Sequence, residues 1–495
     1  MLKKVKAFLF RNTTTSQTIV KNTFWLTVSN IGGRLLRAIV IIYAARVLGA
    51  AGWGVFSYAI TLAAFLTIFI DFGINAILVK ESSKTSDKSY RSEILSTSFY
   101  IKLVLLALGT FVILVIAPRL TTMPQVRVIL PIIAAIFIFD SLRQFGFSIN
   151  QALERMEREA GLFLFTNLAI VGFGFSLLLA SRTVEAFSYG YALGTAAGMI
   201  ATAVVLKESL ARIFSAFRWQ LVKPILAACW PFAISGLLGS LMINTDILIL
   251  GWLKPASDVG IYSAANRIIQ VLYILPSIIA ASTLPAFSRL VAQRSDKMRT
   301  ALEHVISISF LIAIPTAIGG IILGKEIMAG VFGGSFSPGA VAFQVLLLTI
   351  LIDFPAVILT SALFAHGKQK SLISYSAIGG TTNVALDLLL IPSFGITGSA
   401  IATLLAQLVS NYYLWWKVKK TITFSVTPYL KRIAIAAGVM GITTWALNAV
   451  GISFLIIVPI AGALYLFLLY KLREPLLHEA MKVLKTREEP QPSTL

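Results

Sequence analysis

The feature that most limits what this chain can fold into is a succession of long apolar runs from residue 22 to residue 471. A helix rises 1.5 Å per residue, so about 20 mainly apolar residues cross a hydrocarbon core near 30 Å thick. Fourteen runs meet that length. Six lie at 22–47, 54–79, 94–117, 128–152, 160–181 and 184–206, and six more at 225–252, 259–286, 301–323, 340–365, 371–391 and 395–416. The last two are 428–449 and 452–471. Connections between them are short, and none could hold a soluble catalytic domain. Composition agrees: 57% of the residues are hydrophobic and 13% charged, where a soluble domain carries about a quarter charged. The fold class is therefore an all-α polytopic membrane protein of about 14 transmembrane helices. The excess of Leu, Ile, Val and Phe excludes intrinsic disorder. One cysteine, Cys229, and three scattered histidines, His304, His366 and His478, suggest neither a disulfide framework nor a metal site, so no metal or organic cofactor is expected.

The net charge of +21 raises the question of nucleic acid, but the cations punctuate the apolar runs instead of gathering on one domain. No nucleic-acid partner is expected. With the N-terminus in the cytoplasm, 31 of the 42 Lys and Arg fall on the cytoplasmic side and 6 outside. The inner set runs from Lys3, Lys4, Lys6, Arg11 and Lys21, through Arg289, Arg294, Lys297 and Arg299, to the C-terminal tail. The outer set is Arg46, Arg119, Arg127, Arg182, Lys254 and Lys325. That bias satisfies the positive-inside rule, puts both termini in the cytoplasm and favours an even number of spans. The first run is too long for a cleaved signal and lacks a small-residue cleavage site, so it is expected to remain.

An internal repeat is visible. Gly54-Val55-Phe56-Ser57-Tyr58-Ala59 matches Gly260-Ile261-Tyr262-Ser263-Ala264-Ala265 at an offset of 206 residues. Weaker matches at offsets of 210 and 205 relate Gln151-Ala152-Leu153 to Ser361-Ala362-Leu363 and Tyr189-Gly190 to Phe394-Gly395. Each joins spans of equal rank, and an even number of spans per copy makes the repeat parallel, about an axis along the membrane normal. The expected organisation is a cytoplasmic N-terminal segment (1–21), an N-lobe of six spans (22–206), a linker (207–224), a C-lobe of six spans (225–416), two added spans (428–471) and a cytoplasmic tail (472–495). In the linker, Leu210, Ile213, Phe214, Phe217 and Leu221 share a helical stripe, with Lys207, Arg212 and Arg218 off it, as in an amphipathic helix on an anionic lipid surface. Gly190, Gly194 and Gly198 give two small-xxx-small steps, suited either to close packing within a lobe or to a sliding contact.

Charges inside the runs need partners or water, since one ionised side chain at the bilayer centre costs about 2.5–3.5 kcal/mol. Arg34 and Arg37 lie three apart on one face of the first run with no acid on that run. Two such guanidiniums suit an external anion, and their bidentate fork suits phosphate. Asp140 and Arg143 are again three apart, placed either to neutralise each other or to bind ligand. Arg267 lies in the eighth run and Asp387 in the eleventh. Asp71, Asp246 and Asp353 could carry a coupling proton or sodium ion, or serve as salt-bridge partners. Asn30, Gln144, Asn150, Asn244 and Gln344 suit sugar hydroxyls and interhelical hydrogen bonds equally.

Several stretches carry a resemblance. Ala45-Arg46-Val47-Leu48-Gly49, Gly54-Val55-Phe56-Ser57, Asp71-Phe72-Gly73-Ile74 and Val79-Lys80-Glu81 resemble the opening of polysaccharide-biosynthesis flippases. Thr245-Asp246-Ile247-Leu248-Ile249-Leu250-Gly251, the Gly260 motif and Leu284-Pro285-Ala286-Phe287-Ser288-Arg289-Leu290 resemble the same family's second half. It belongs to the superfamily of multidrug extruders, oligosaccharide-lipid flippases and peptidoglycan-precursor flippases. The resemblance implies two lobes that flip an undecaprenyl-pyrophosphate-linked oligosaccharide from the inner to the outer leaflet of the cytoplasmic membrane by alternating access, alongside polysaccharide assembly proteins. By position, Arg34, Arg37 and Arg267 become pyrophosphate candidates, with Arg143 a further one, and the last two spans would flank the lipid tail. Other readings are a multidrug or organic-cation antiporter of the same superfamily, whose cavity should favour acids, and a membrane glycosyltransferase or ligase, which usually needs an extramembrane domain.

Overall fold

The computed structural model describes residues 15–477 apart from 86, 215, 294 and 296. Lys3, Lys4, Lys6, Arg11, Arg294 and the tail from His478 onward lie outside the described residues, as do the side chains of Leu210 and Arg212. The described residues contain no strand. In chain order the helices are α1 (Thr15–Leu66), α2 (Ile68–Asp71), α3 (Ile74–Lys84), α4 (Lys88–Phe111), α5 (Ala117–Leu120), α6 (Pro124–Ala152), α7 (Met156–Ala180) and α8 (Val184–Val205). Next come α9 (Lys207–Ile213), α10 (Val222–Leu253), α11 (Ala256–Leu272), α12 (Ile274–Ala292), α13 (Lys297–Ile322) and α14 (Gly324–Phe332). The chain ends with α15 (Ala340–Ala365), α16 (Gln369–Lys419), α17 (Thr427–Ala449) and α18 (Phe454–Lys471).

Twelve helical stretches among the described residues are long and apolar enough to cross a membrane. Two of them hide a second crossing. The helices α1 and α16 have 52 and 51 residues, about 75–80 Å of rise, more than twice the hydrocarbon thickness. Each contains one non-helical glycine: Gly49 at φ 67°, ψ 179° and Gly395 at φ 54°, ψ −134°. Glycine alone tolerates such a backbone cheaply, so it divides each long helix into two rods. The fourteen expected spans are thus accounted for. The second expected span, 54–79, is interrupted. After Leu66 the chain makes the four-residue α2, then two left-handed residues, Phe72 (φ 40°) and Gly73 (φ 79°), before α3 begins.

By contacts the chain divides into two compact units, Met1–Ala264 and Ala265–Leu495. In the first, α1 packs against α6 and α7, α8 packs along α7 and α6, and α3 lies on α6. The glycine steps of α8 serve this packing within the unit. A Cβ at Gly190 would come 2.8 Å from Gly174 Cα, and one at Gly198 would strike the Thr166 side chain, both on α7. The repeat also leaves a mark in this unit. A Cβ at Gly54 would collide with the carbonyl oxygen of Ala256, and one at Gly260 with the carbonyl oxygen of Ala50. Residues 50 and 256, like 54 and 260, are related by the same 206-residue offset, so equivalent segments cross backbone to backbone in a reciprocal contact.

The connector docks on the start of α4. Leu206 and Ile213 join Leu78, Ile94, Leu95, Phe145 and Ile149 in an apolar cluster, and Arg218 pairs with Glu93 at 3.2 Å. Phe214, Phe217 and Trp219 stay exposed. In the second unit, α15 packs on α12, α13 and α16, and α17 packs on α13 and α18. Its main core joins Phe287, Leu302, Ile306, Ile358, Leu359 and Leu414.

Candidate functional site

The first rod of α1 has two exposed faces of opposite character. At 100° per residue, Phe24, Val28, Leu35 and Ile39 fall on one stripe, and all four are exposed apolar side chains. Thr23, Thr27, Asn30, Arg34 and Arg37 fall on a second stripe about 130° away. Thr23, Asn30 and Arg34 are exposed, and Thr27 and Arg37 half-buried. The apolar stripe suits acyl chains. The polar one does not, because Arg34 lies near the middle of the rod between Lys21 and Gly49, where an ionised group in hydrocarbon is costly. A polar stripe with an uncovered guanidinium at that depth requires water or a ligand.

Arg37 is held from behind. Its Nε donates to Asn167 Oδ1 at 3.1 Å, and the fully buried Asn167 donates its own Nδ2 to the Phe163 carbonyl at 2.8 Å. Gly33 makes this approach of α1 to α7 feasible, since a Cβ there would run into the Phe163 ring and come 2.9 Å from Asn167 Nδ2. Anchored through Nε, the Arg37 guanidinium keeps both terminal nitrogens for another partner. Arg34 forms no ion pair or hydrogen bond among the described residues.

Arg143 sits differently. Its side chain is 1% exposed, pairs through Nη2 with Asp140, and stacks near Phe147 and Phe163, with ring centroids 4.7 and 5.9 Å from Cζ. Asp140, 40% exposed, presents the open side of this pair. Thus Phe163 touches both Gly33 and Arg143, bringing α1, α6 and α7 together behind the Arg34–Arg37 face. Sequence reasoning placed Asp140 with Arg143 by their spacing, but the spacing did not reveal the aromatic enclosure.

Asp71 lies at the interrupted second span, beside the left-handed Phe72. It accepts from Lys102 Nζ at 2.5 Å and from Asn75 Nδ2 at 2.7 Å. The Lys102 side chain is 1% exposed and Asp71 57%. Lys102 and Asn167 are two residues that sequence reasoning missed. A lysine eight residues into an apolar run was a visible signal, whereas a lone Asn in α7 had nothing to distinguish it from any interhelical polar residue.

The remaining candidates occupy separate places. Asp246, in the first unit, is buried and accepts from the Tyr262 hydroxyl. In the second unit, Asp353 is buried, accepting from the Tyr273 hydroxyl and from Asn411 Nδ2 at 3.0 Å. Arg267 is half-buried and donates to Gln270 at 3.0 Å, and Asp387 is fully buried on α16. The geometry therefore unites Arg34 and Arg37, with Arg143 behind them, and leaves the three aspartates in three distinct hydrogen-bonded settings. Among the described residues no cluster of three His, Cys, Asp or Glu could hold a metal ion.

An all-helical chain that crosses the bilayer many times and bares a guanidinium at mid-span has the architecture of a polytopic transporter. Comparison with known proteins specifies the class. The polysaccharide biosynthesis protein family model matches residues 19–291, and the MatE model matches residues 231–389. A probable low-salt glycan biosynthesis flippase of Haloferax volcanii is 25% identical over 79% of this chain and 82% of its own length. A capsular polysaccharide biosynthesis protein of Staphylococcus aureus is 21% identical over 81% of this chain and 99% of its own. The solved structure of a lipid II flippase in an inward closed conformation superposes with a TM-score of 0.73 at 17% identity, covering 89% of this chain and 97% of the other. The chain belongs to the polysaccharide biosynthesis protein family, whose members are membrane transporters and not catalysts.

Proposed function

We propose that the chain is a flippase that carries a lipid-linked oligosaccharide from the inner to the outer leaflet by alternating access, with its pyrophosphate bound by Arg34 and Arg37. One observation carries the reading: a polar, exposed stripe at mid-span depth that ends in two guanidiniums, one of them oriented by Asn167. A sugar head group stripped of water loses several kcal/mol for each unpartnered hydroxyl, so passage needs a surface of replacement partners while the prenyl tail stays in lipid. Two guanidiniums offset the burial of a pyrophosphate through bidentate hydrogen bonds. Arg143, enclosed and paired with Asp140, supports the face from behind, and Arg267 is a candidate for a second contact.

The multi-pass chain belongs in the cytoplasmic membrane with both termini cytoplasmic, an orientation supported by the 31-to-6 bias of its cations. Exposed Phe214, Phe217 and Trp219 beside Arg218 suit the headgroup region of an anionic leaflet. Polysaccharide assembly proteins are the expected partners. Coupling to protons or sodium is assigned to the buried Asp353, with Asp246 and Asp71 as further candidates. A multidrug antiporter is disfavoured, because organic cations would meet Arg34 and Arg37.

The test is reconstitution in vesicles with a fluorescent undecaprenyl-pyrophosphate-linked sugar, scoring transfer by access of an external lectin. Wild-type protein transfers the lipid, while Arg34→Ala combined with Arg37→Ala loses transfer at unchanged abundance and thermal stability. Full transfer by the double variant would overturn the proposal.

A further inference from the structure

Above Arg34, toward the N-terminal end of α1, the stripe continues with one polar side chain per helical turn: Asn30, Thr27 and Thr23. The intervals are 4, 3 and 4 residues, and the run from Thr23 to Arg34 rises about 16 Å. Each step is about 5.4 Å, comparable with the length of one hexose unit.

These groups are also unspent. By contrast, Thr166, Thr195 and Thr202 in the same unit each donate to the carbonyl four residues earlier, at 2.7, 2.8 and 2.8 Å. Thr23 and Thr27 make no hydrogen bond among the described residues. Asn30 donates to the Leu26 carbonyl at 2.8 Å, and its Oδ1 has no hydrogen bond among the described residues. Between residues 24 and 39 the neighbouring exposed stripe of the same helix is wholly apolar, so a uniformly polar helix surface does not account for this row.

We infer that Thr23, Thr27 and Asn30 form a ladder of sugar subsites for the reducing-end residues of the lipid-linked glycan. The inference rests on the pyrophosphate reading of Arg34 and Arg37, and it fixes a direction: the glycan extends from Arg34 toward the N-terminal end of α1. At hexose spacing, the threonine hydroxyls can donate to and accept from sugar hydroxyls, and the Asn30 amide oxygen can accept from them, without demanding one stereochemistry. A ladder of this kind tolerates different glycans while still favouring a sugar-bearing lipid over a bare one.

The test uses the full chain in nanodiscs and two probes, undecaprenyl pyrophosphate and undecaprenyl-pyrophosphate-linked tetra-N-acetylglucosamine. Wild-type protein is expected to bind the sugar-bearing lipid at least tenfold more tightly. Thr23→Val, Thr27→Val and Asn30→Leu combined should erase most of that preference, at least fivefold, and leave affinity for the bare lipid within twofold. Thr23→Ser with Thr27→Ser, which keeps the hydroxyls, should retain the preference. A wild-type protein without the preference, or a triple variant that keeps it, overturns the ladder. An Arg34→Ala variant that binds the bare lipid normally overturns the pyrophosphate reading instead, so the two failures are distinguishable.

Discussion

Replacing Asn167 tests the chemistry of the Arg34–Arg37 face without touching a group assigned to the substrate. Asn167 is fully buried, accepts from Arg37 Nε at 3.1 Å and is itself tied to the Phe163 carbonyl. Its work is to anchor the guanidinium through Nε, which leaves both terminal nitrogens for another partner. A hydrogen bond to a charged group contributes about 1.5–3 kcal/mol. Arg37 is half-buried, and water in the vacated space would recover part of that, leaving about 1–2 kcal/mol, or roughly a five- to thirtyfold weaker hold on pyrophosphate. The assay is equilibrium binding of undecaprenyl pyrophosphate to the protein in nanodiscs, with abundance and thermal unfolding measured alongside. Asn167→Ala should show the loss. Asn167→Asp should show a larger one, since a carboxylate against Arg37 cancels the charge needed for the anion. In a double-mutant cycle with Arg37→Ala the two effects should be strongly non-additive. An Asn167→Ala affinity within twofold of wild type, or strict additivity with Arg37→Ala, would refute the positioning argument.

Other outcomes follow from single contacts. Lys102 is enclosed with Asp71 as its counter-ion, so Asp71→Asn should lower the unfolding temperature by leaving a buried ammonium unpaired, while Asp71→Asn with Lys102→Gln should recover much of it. Because Asp71 is more than half exposed, the loss should be near 1–2 kcal/mol and not the 3–5 of a fully buried pair. A methyl group at Gly54 or Gly260 meets a backbone carbonyl that cannot rotate aside, so Gly54→Ala or Gly260→Ala should destabilise by about 1–3 kcal/mol or more, read as reduced yield and unfolding temperature. Asp353→Asn retains a polar group for Tyr273 and Asn411, so it should preserve folding and lipid binding while removing the dependence of transport on an imposed proton or sodium gradient. Transport by Asp353→Asn that still follows the gradient would exclude Asp353 as the coupling group.

The parts of the fold legible in the sequence were those set by periodicity and by the cost of polar groups in lipid. Apolar run length located the spans, and Gly49 and Gly395 explain how fourteen spans become twelve continuous helical stretches. The Gly54 and Gly260 motifs, found as a repeat, meet in a reciprocal contact because a glycine at each crossing point lets the two backbones approach closely. Arg34 and Arg37 stood out because no acid shares their span. Harder to read were features that exist only across helices. Asn167 matters through Arg37, 130 residues away, and Arg143 is enclosed by a Phe from another helix. The break at Phe72 also carried little signal, since a single Gly73 in an apolar run is compatible with an unbroken helix.

Cysteine accessibility along α1 examines the shared premise that one of its exposed stripes meets water and the other meets lipid. The native Cys229 is buried, so introduced thiols report alone. In intact membranes, Thr23→Cys, Asn30→Cys and Arg34→Cys should react with a membrane-impermeant maleimide. Phe24→Cys, Val28→Cys and Leu35→Cys should remain unlabelled. Reactivity on the apolar stripe with silence at Thr23, Asn30 and Arg34 would mean that this helix offers the substrate no polar route.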